Sequence, residues 1–501
     1  MPGLTLVRPV GNCLTSGGSS VTTLRRRALG KLAALPDSLL VRLLDTLVSS
    51  TEPLEAAHSL CAFSAASTFA NAFAADEDLW RRIVLMVYST KQIATAFRDS
   101  WRETFLCLVS NRRRAASDPS PAERKSFVYS DVLFHKWRCQ TAAIDPDWLS
   151  VDNVCRVSAS STSAVDFRRC YEEPGQPVVV TGVATGWPAF KSWTVAGLDE
   201  RCGDTLLHAG GFEFTARDYF RYCEAVEGHD DQPLYVFDKH FAEKVPQLKD
   251  EYGVPEYFGE DLFKVLGEEQ RPDYRWLIIG PARSGSSFHK DPNATSAWNA
   301  IIRGQKKWIL FPPDRPPPGV HPSGDGGDVT APVSISEWFL NFYDHDMLQK
   351  YGARECIVNE GEMIFVPMGW WHCVLNTTTS IAITQNYVSS ANVREVAAWL
   401  RNKPSQVSGC RSRDQASFIC ENFPRLVVER YPELNEKLKG FILAEVKTDG
   451  AVENGSTAKR RKTSLWESLQ MSPNLSVKNA TKGTMKTQKA SSTVSSFSFG
   501  F

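Results

Sequence analysis

The sequence predicts an α+β chain in which a small helical domain precedes a β jelly roll with flanking helices. Three observations carry that prediction. Leucines recur at helical spacing between Leu39 and Leu47. From about residue 127 to 390 the chain turns to short apolar, β-branched runs punctuated by Gly and Pro, which read as strands of two stacked sheets. Beyond residue 391, Val393, Val396, Ala397, Trp399 and Leu400 return to a helical pattern.

Composition bounds the rest. The chain has 501 residues, 42% hydrophobic and 11% aromatic, enough for about two to four domains with substantial cores. Its 57 Lys+Arg balance 57 Asp+Glu, which excludes a strongly basic nucleic-acid protein or an acidic solvating chain. No stretch approaches the ~18 uninterrupted apolar residues of a spanning helix, so no membrane span is expected. Twelve cysteines without a CxxC pair read as reduced thiols of a cytosolic or nuclear protein. The charge is unevenly spread. Residues 446–501 hold nine Lys/Arg against three Asp/Glu, a net of +6, leaving −6 on residues 1–445. That acidic balance speaks against a broad phosphate-binding surface.

Taken in order, residues 1–30 carry Arg8, Arg25, Arg26 and Arg27 and no acid, the composition of either a transit peptide or a disordered basic leader. Residues 31–85 open with Leu35-Pro36-Asp37, proline and an acid at a helix start, and continue through Leu60, Phe63, Phe69 and Phe73 to Leu79-Trp80. This segment resembles an F-box: LPDSLLVRLLDTL, a middle of small residues and Phe, then DEDLW, with WRETF following at residue 101. The resemblance implies an apolar face for a Skp-type adaptor and hence a cullin ubiquitin ligase. Residues 86–126 read as a helical linker and 127–400 as the main β domain, its core at about 174–390. Within it Val178–Gly182, Leu234–Phe237, Trp276–Pro281, Trp308–Pro312 and Met363–Pro367 read as strands, and 196–226 and 256–266 as helices. Residues 401–445 form C-terminal helices suited to dimerisation, substrate capture or capping. The tail, 446–501, has seventeen Ser/Thr and too few large apolar residues to offset the entropy of ordering, which predicts disorder. Its cluster Lys459-Arg460-Arg461-Lys462 suits an import receptor or another anionic surface, so a nuclear location, with the cytoplasm as the alternative, is expected.

Nine histidines allow the metal question to be approached by elimination. His229 and Asp231 form one HxD pattern, in the turn-like EGHDDQP; His289 and Asp291 form the other, after a strand-like run. Residues two apart in an extended segment project from one face, so His289 and Asp291 can aim at one ion. His372, at the start of another apolar run, is the third candidate. Two neutral imidazoles and a carboxylate leave half an octahedron open, the arrangement that holds non-haem Fe(II) for oxygen chemistry.

The stretches YRWLIIGPARSGSSFHKDPNATSAWNAIIRGQKKWILFPP and GEMIFVPMGWWHCVLNTTTSIAITQNYV resemble Jumonji-C (JmjC) oxygenases, cupin-fold enzymes dependent on Fe(II) and 2-oxoglutarate. The closest likeness is to the bifunctional arginine demethylase and lysyl-hydroxylase branch, over roughly 127–400 and most densely over 233–390. The resemblance implies a double-stranded β-helix barrel, metal ligands His289, Asp291 and His372, and O2 and 2-oxoglutarate as co-substrates. It also implies Lys306 as the cation for the distal carboxylate of 2-oxoglutarate and Thr384 as its hydroxyl partner, with Asn299 and Tyr235 nearby. For Asn299 and Tyr235 ordinary core hydrogen bonding is the competing role. Lys307, pointing to the other face, is expected to meet solvent. The run Arg283-Ser284-Gly285-Ser286 is a candidate for contact with substrate or 2-oxoglutarate, and Trp371 for the pocket mouth. The implied substrate is a protein, with methyl-arginine on histones or a lysine side chain as the target. Two other readings stay open: an F-box substrate receptor with a non-catalytic barrel, and an RNA nucleoside hydroxylase.

Overall fold

The computed structural model of the chain describes residues 7–10, 18–110 and 124–442. The tail with its basic cluster at 459–462, most of the first seventeen residues, and residues 111–123 of the linker lie outside the described residues. The N-terminal part of the described chain is helical: α1 (Gly18–Leu29), α2 (Asp37–Ser50), α3 (Pro53–Ala66), α4 (Thr68–Ala74), α5 (Glu77–Val87), α6 (Thr90–Ala96) and α7 (Trp101–Ser110). α1 occupies residues expected in a disordered leader. Arg25 explains part of this, since its guanidinium pairs with Asp37 and donates to the carbonyls of Ala33 and Leu35, tying α1 to the start of α2.

Local capping sets the other helix boundaries. Glu52 accepts from the amides of Leu54 and Glu55 ahead of α3, where Pro53 has no N–H that needs an acceptor. Ser67 caps α4, Asp76 caps α5, and Ser89 with Gln92 forms a capping box on α6. α7 is capped from a different helix: the Glu77 carboxylate accepts the Trp101 and Arg102 amides, while its burial pushes its pKa up to about 8. α2 buries Leu40, Leu44 and Val48 and leaves Leu39 and Leu43 on the outer face.

These helices pack against the β domain rather than around a private core. Trp80, Phe97 and Trp101 belong to the same apolar cluster as Phe214, Tyr222, Trp298 and Phe365. Phe97 meets Tyr222 edge-on at 6.3 Å, the Trp101 indole donates to Asp230 at 2.9 Å, and Arg81 donates to the Gln232 carbonyl at 2.8 Å. Emptying such a site with Trp80→Ala costs about 3–5 kcal/mol.

β1 (Val7–Val10) and β2 (Arg124–Tyr129) pair in parallel, followed by helix α8 (Asp131–Thr141). The main domain contributes β3 (Cys155–Ser158), β4 (Val178–Thr181), β5 (Leu206–Ala209), β6 (Phe212–Thr215), β7 (Val236–Asp238), β8 (Arg275–Gly280), β9 (Gly285–His289), β10 (Ser296–Arg303) and β11 (Lys306–Phe311). A small hairpin, β12 (His321–Pro322) and β13 (Val329–Thr330), precedes β14 (Arg354–Val358), β15 (Met363–Val366), β16 (Trp371–Asn376) and β17 (Ser380–Tyr387). Nine strands form one sheet in the order β3-β4-β15-β10-β17-β8-β7-β5-β6, and four form a second, β14-β11-β16-β9. The segment expected as one helix over 196–226 is instead helix Val195–Cys202, the β5–β6 hairpin and helix Ala216–Val226. The Gly210-Gly211 pair, both at positive φ, makes the hairpin turn.

The two sheets share an inner core without joining edge to edge into a closed barrel, so the fold is an open two-sheet jelly-roll arrangement. Trp276, Ile278, Ile301 and Ala382 of the larger sheet meet Trp308, Leu310, Cys356 and Val374 of the smaller. The larger sheet's other face holds the helices. The smaller sheet's other face packs Phe288, Ile309, Phe311, Trp371 and Cys373 against Trp338 and Phe339. At the C-terminus, helices Val393–Asn402 and Arg413–Arg430 bury Val396, Leu400, Ile419 and Phe423 against Leu262 and Phe263.

Candidate metal centre

β9 delivers His289 at its last position and Asp291 just beyond, where Pro292 turns the chain. β16 lies antiparallel to β9, with His372 directly opposite His289. The three side chains offer ligand atoms that all lie within 4.8 Å of one another, and the two imidazole centroids are 4.2 Å apart.

The tautomers follow from the hydrogen bonds. Nδ1 of His289 lies 2.8 Å from the Ser287 carbonyl and Nδ1 of His372 lies 3.1 Å from the Trp370 carbonyl. A carbonyl only accepts, so each Nδ1 carries the proton and each Nε2 is the unprotonated nitrogen, the tautomer of a metal-binding imidazole. Burial pushes both imidazoles down to about 4, with the proximity of His372 adding to the effect on His289. Both rings are therefore neutral at pH 7. Burial raises Asp291 to about 6. Its Oδ1 accepts from Asn386 Nδ2 at 3.4 Å, whereas Oδ2 is buried without a partner. A buried carboxylate oxygen left unpaired costs several kcal/mol, and a divalent cation removes that cost. The donor set fits a hard or borderline divalent ion.

Between the sheets lies a buried cation. Lys306, fully buried on β11, faces Asn376 across the β11–β16 ladder. Its Nζ donates to the Tyr235 hydroxyl at 3.0 Å. Burial pushes its pKa down to about 7 and holds the Tyr235 phenol above its ordinary range. Thr384 and Asn299 oppose one another on β17 and β10; Thr384 Oγ1 donates to the Trp298 carbonyl at 2.9 Å. Asn299 Oδ1, Asn376 Oδ1 and Trp308 Nε1 are buried without hydrogen-bond partners. Gly280 admits this crowding: a Cβ there would fall 2.3 Å from Ser284 Oγ and 2.4 Å from the Tyr235 ring. An ammonium with no ion-pair partner, in a core that also buries unsatisfied polar atoms, fits one end of a small dicarboxylate.

Three expectations need correction. Lys307 is not solvent-facing. It does point away from Lys306, but it is buried and paired with Glu355 at 2.8 Å, because helix Ile335–Phe342 and residues 144–153 cover that face. Arg283 turns away from the centre at φ +70 and donates to the carbonyls of Cys139 and Gln140 at the end of α8. Trp371 packs in the outer cluster with Lys290 over its ring at 4.7 Å, and it is Trp370 that faces the inner core. His229, by contrast, is exposed near Asp99. Asn386 and Asn376 were missed. Asn386 lies two residues after Thr384 on one strand, so the two-residue period of β17 could have found it. Asn376 becomes visible only once the β11–β16 register is known. A separate cavity of about 690 Å³, lined by Asp76, Asp78, Lys136, Asp231 and Glu337, includes none of the centre's residues.

Comparison with known proteins points the same way. Residues 211–392 match a family described as the cupin-like domain. The chain is 41% identical over 466 residues to the arginine-specific demethylase JMJ22 of Arabidopsis thaliana, spanning 93% of this chain and 87% of that protein. It is 35% identical over 298 residues to the bifunctional arginine demethylase and lysyl-hydroxylase psr-1 of Caenorhabditis elegans, spanning 58% of this chain and 71% of that protein. Against the 2-oxoglutarate and iron-dependent oxygenase JMJD4 of Homo sapiens the identity is 31% over 267 residues, 48% of this chain and 63% of that one.

Proposed function

The chain belongs to the JmjC family of cupin-fold, Fe(II)- and 2-oxoglutarate-dependent oxygenases, and from that premise we propose that it demethylates methyl-arginine or hydroxylates lysine side chains on protein substrates such as histone tails. The observation that carries this reading is the unpaired, buried Asp291 Oδ2 within 4.8 Å of two imidazoles whose Nδ1 atoms are held by backbone carbonyls. His289, Asp291 and His372 hold the Fe(II), and Lys306 with Thr384, Asn299 and Tyr235 receives the distal carboxylate of 2-oxoglutarate.

Bound Fe(II) and 2-oxoglutarate supply an O2-dependent hydroxylation of a carbon–hydrogen bond, with 2-oxoglutarate converted to succinate and CO2. The protein's own work is to fix and desolvate. The Ser287 and Trp370 carbonyls hold both rings in the ligating tautomer. Asn386 orients Asp291 through Oδ1. The Lys306 ammonium neutralises a carboxylate that the surrounding apolar core would otherwise reject. Which carbon reaches the centre decides the product: a lysine carbon gives a stable alcohol, while a hydroxylated N-methyl group collapses to formaldehyde and the free amine. Mass spectrometry of methyl-arginine and lysine peptides incubated with the protein, Fe(II) and 2-oxoglutarate tests this. Loss of a methyl or gain of one oxygen supports it, and unchanged peptides with no succinate formed refute it.

A second activity is favoured by one specific surface. Leu39 and Leu43, one turn apart on α2, are 44% and 49% exposed, and Leu54 at the start of α3 is 49% exposed. Such an exposed apolar face would suit a Skp-type adaptor, which would couple the oxygenase to a cullin ubiquitin ligase. Co-purification with such an adaptor, lost in the Leu39→Asp/Leu43→Asp double variant, is expected; no association by the unaltered chain refutes it. The basic cluster at 459–462 supports a nuclear location, tested by imaging the chain with those four residues changed to alanine.

A further inference from the structure

The turn that follows Asp291 is backbone-strained in an unusual way. Asn293 lies at φ 56°, ψ 22°, and Ala294 follows at φ 55°. Single left-handed residues other than glycine are uncommon, asparagine being the most tolerant of them, and two in succession are strained. They persist only where the surroundings over-determine them. Here the determinant is visible. The Asn293 side chain is buried and bonds the Ser408 backbone at both of its groups: Nδ2 donates to the Ser408 carbonyl at 3.0 Å, and Oδ1 accepts from the Ser408 amide at 3.1 Å. Asn392, at the start of helix Val393–Asn402, adds a bond from its Nδ2 to the Ala294 carbonyl at 3.3 Å.

Ser408 is itself anchored. The Gly409 carbonyl, at φ +76, accepts from the Asp273 amide at 2.8 Å. One residue on, the Tyr274 carbonyl accepts from the Asn386 amide at 2.7 Å, and Asn386 Nδ2 returns to Asp291 Oδ1 and to Thr295 Oγ1. The connections close a ring: Asp291, Asn293, Ser408-Gly409, Asp273-Tyr274, Asn386, and back to Asp291. Both ends of the aspartate's environment, its backbone turn and its Oδ1, are thereby referred to one C-terminal segment outside the two sheets.

The geometry points to Asn293 as a positioning residue for the metal: a clip, acting through Ser408, that fixes the Asp291 carboxylate where it can complete the three-ligand set. The C-terminal helices are thus part of the centre's support rather than a lid alone. This rests on the reading of Asp291 as a metal ligand, so the test separates the two claims. Co(II) is titrated into metal-free full-length protein and followed by its visible ligand-field absorption, with melting temperature measured in parallel. Asn293→Gly keeps the backbone conformation cheap while deleting the clip. Asn293→Ala deletes it and keeps the strain. Outer-shell partners of metal ligands are worth 10–100-fold in affinity, so both variants are expected to bind Co(II) about tenfold or more weakly with an altered absorption band. The melting temperature of Asn293→Gly stays within a few degrees. Ser408→Pro, which removes the amide from the other side of the clip, gives the same weakening should either Asn293 variant fold poorly. Unaltered Co(II) affinity and spectrum in Asn293→Gly and Ser408→Pro overturn the inference. Asp291→Ala is the control for the parent reading: full Co(II) affinity there removes Asp291 from the metal altogether, whereas its loss alongside an unaffected Asn293→Gly removes only the clip.

Discussion

Replacing Lys306 by methionine should make the protein more stable and useless to its co-substrate at once. The ammonium is fully buried, and burial lowers its pKa from 10.5 to about 7, equivalent to roughly 4–5 kcal/mol of lost preference for the charged form. At neutral pH the fold bears most of that cost, less about 1 kcal/mol returned by the bond to Tyr235. Methionine fills a similar volume with no charge to desolvate. The substrate-free Lys306→Met protein should gain roughly 2–4 kcal/mol and melt a few degrees higher. The pH dependence sharpens the test. Between pH 7 and 10.5 the unfolded chain holds the Lys306 proton and the folded chain does not, so the parent's stability rises with pH across that window and is lost as pH falls through 7. The variant lacks that slope. The opposite effect is expected on binding: a buried carboxylate without its cation costs about 3–5 kcal/mol, so the 2-oxoglutarate Kd, measured calorimetrically with Mn(II) present, should rise a hundredfold or more. A variant that is less stable than its parent and binds 2-oxoglutarate equally well would refute the assignment of this pocket.

Other expectations follow from the same geometry. Because binding an anion must recharge Lys306, the parent's affinity for 2-oxoglutarate should weaken above pH 7 by up to tenfold per pH unit, and calorimetry in buffers of different ionisation heat should show proton uptake there. With His289 and His372 near 4 and Asp291 near 6, metal binding at pH 7 should release almost no protons. Below pH 6 it should release about one, from Asp291, with metal affinity falling accordingly. Release of a proton from ordinary imidazoles at pH 6.5 would contradict this. Lys307→Met or Glu355→Gln should each cost about 3–5 kcal/mol by stranding the other member of a buried pair, as read by denaturant unfolding. The double replacement should recover most of that loss, and neither single variant should alter the 2-oxoglutarate Kd by more than severalfold.

Much of this was legible in the sequence because strand periodicity is local. His289 and Asp291, two apart, share a direction by the pleat alone, and the apolar runs of β4, β8, β11 and β15 announce themselves by composition. What the sequence withheld was pairing. Lys307 looked solvent-facing because its neighbour pointed inward, and only helix Ile335–Phe342 together with residues 144–153 makes its other face a second interior. Trp371, expected at the pocket mouth, lies in the outer cluster for the same reason, while Trp370 packs in the inner one. Arg283 could not be assigned because its direction depends on a positive φ that an arginine seldom adopts. The helical leader depends on Arg25 finding Asp37, a tertiary contact no composition rule sees. Asn293 is the extreme case: nothing in PNAT suggests a side chain that bonds backbone 115 residues away.

The most direct measurement is metal content. After anaerobic equilibration with Fe(II) and dialysis, elemental analysis of the unaltered chain should find one iron per chain, and the His289→Ala/Asp291→Ala/His372→Ala variant, shown by circular dichroism to be folded, should hold none. A full equivalent retained by that triple variant would contradict the account at its root.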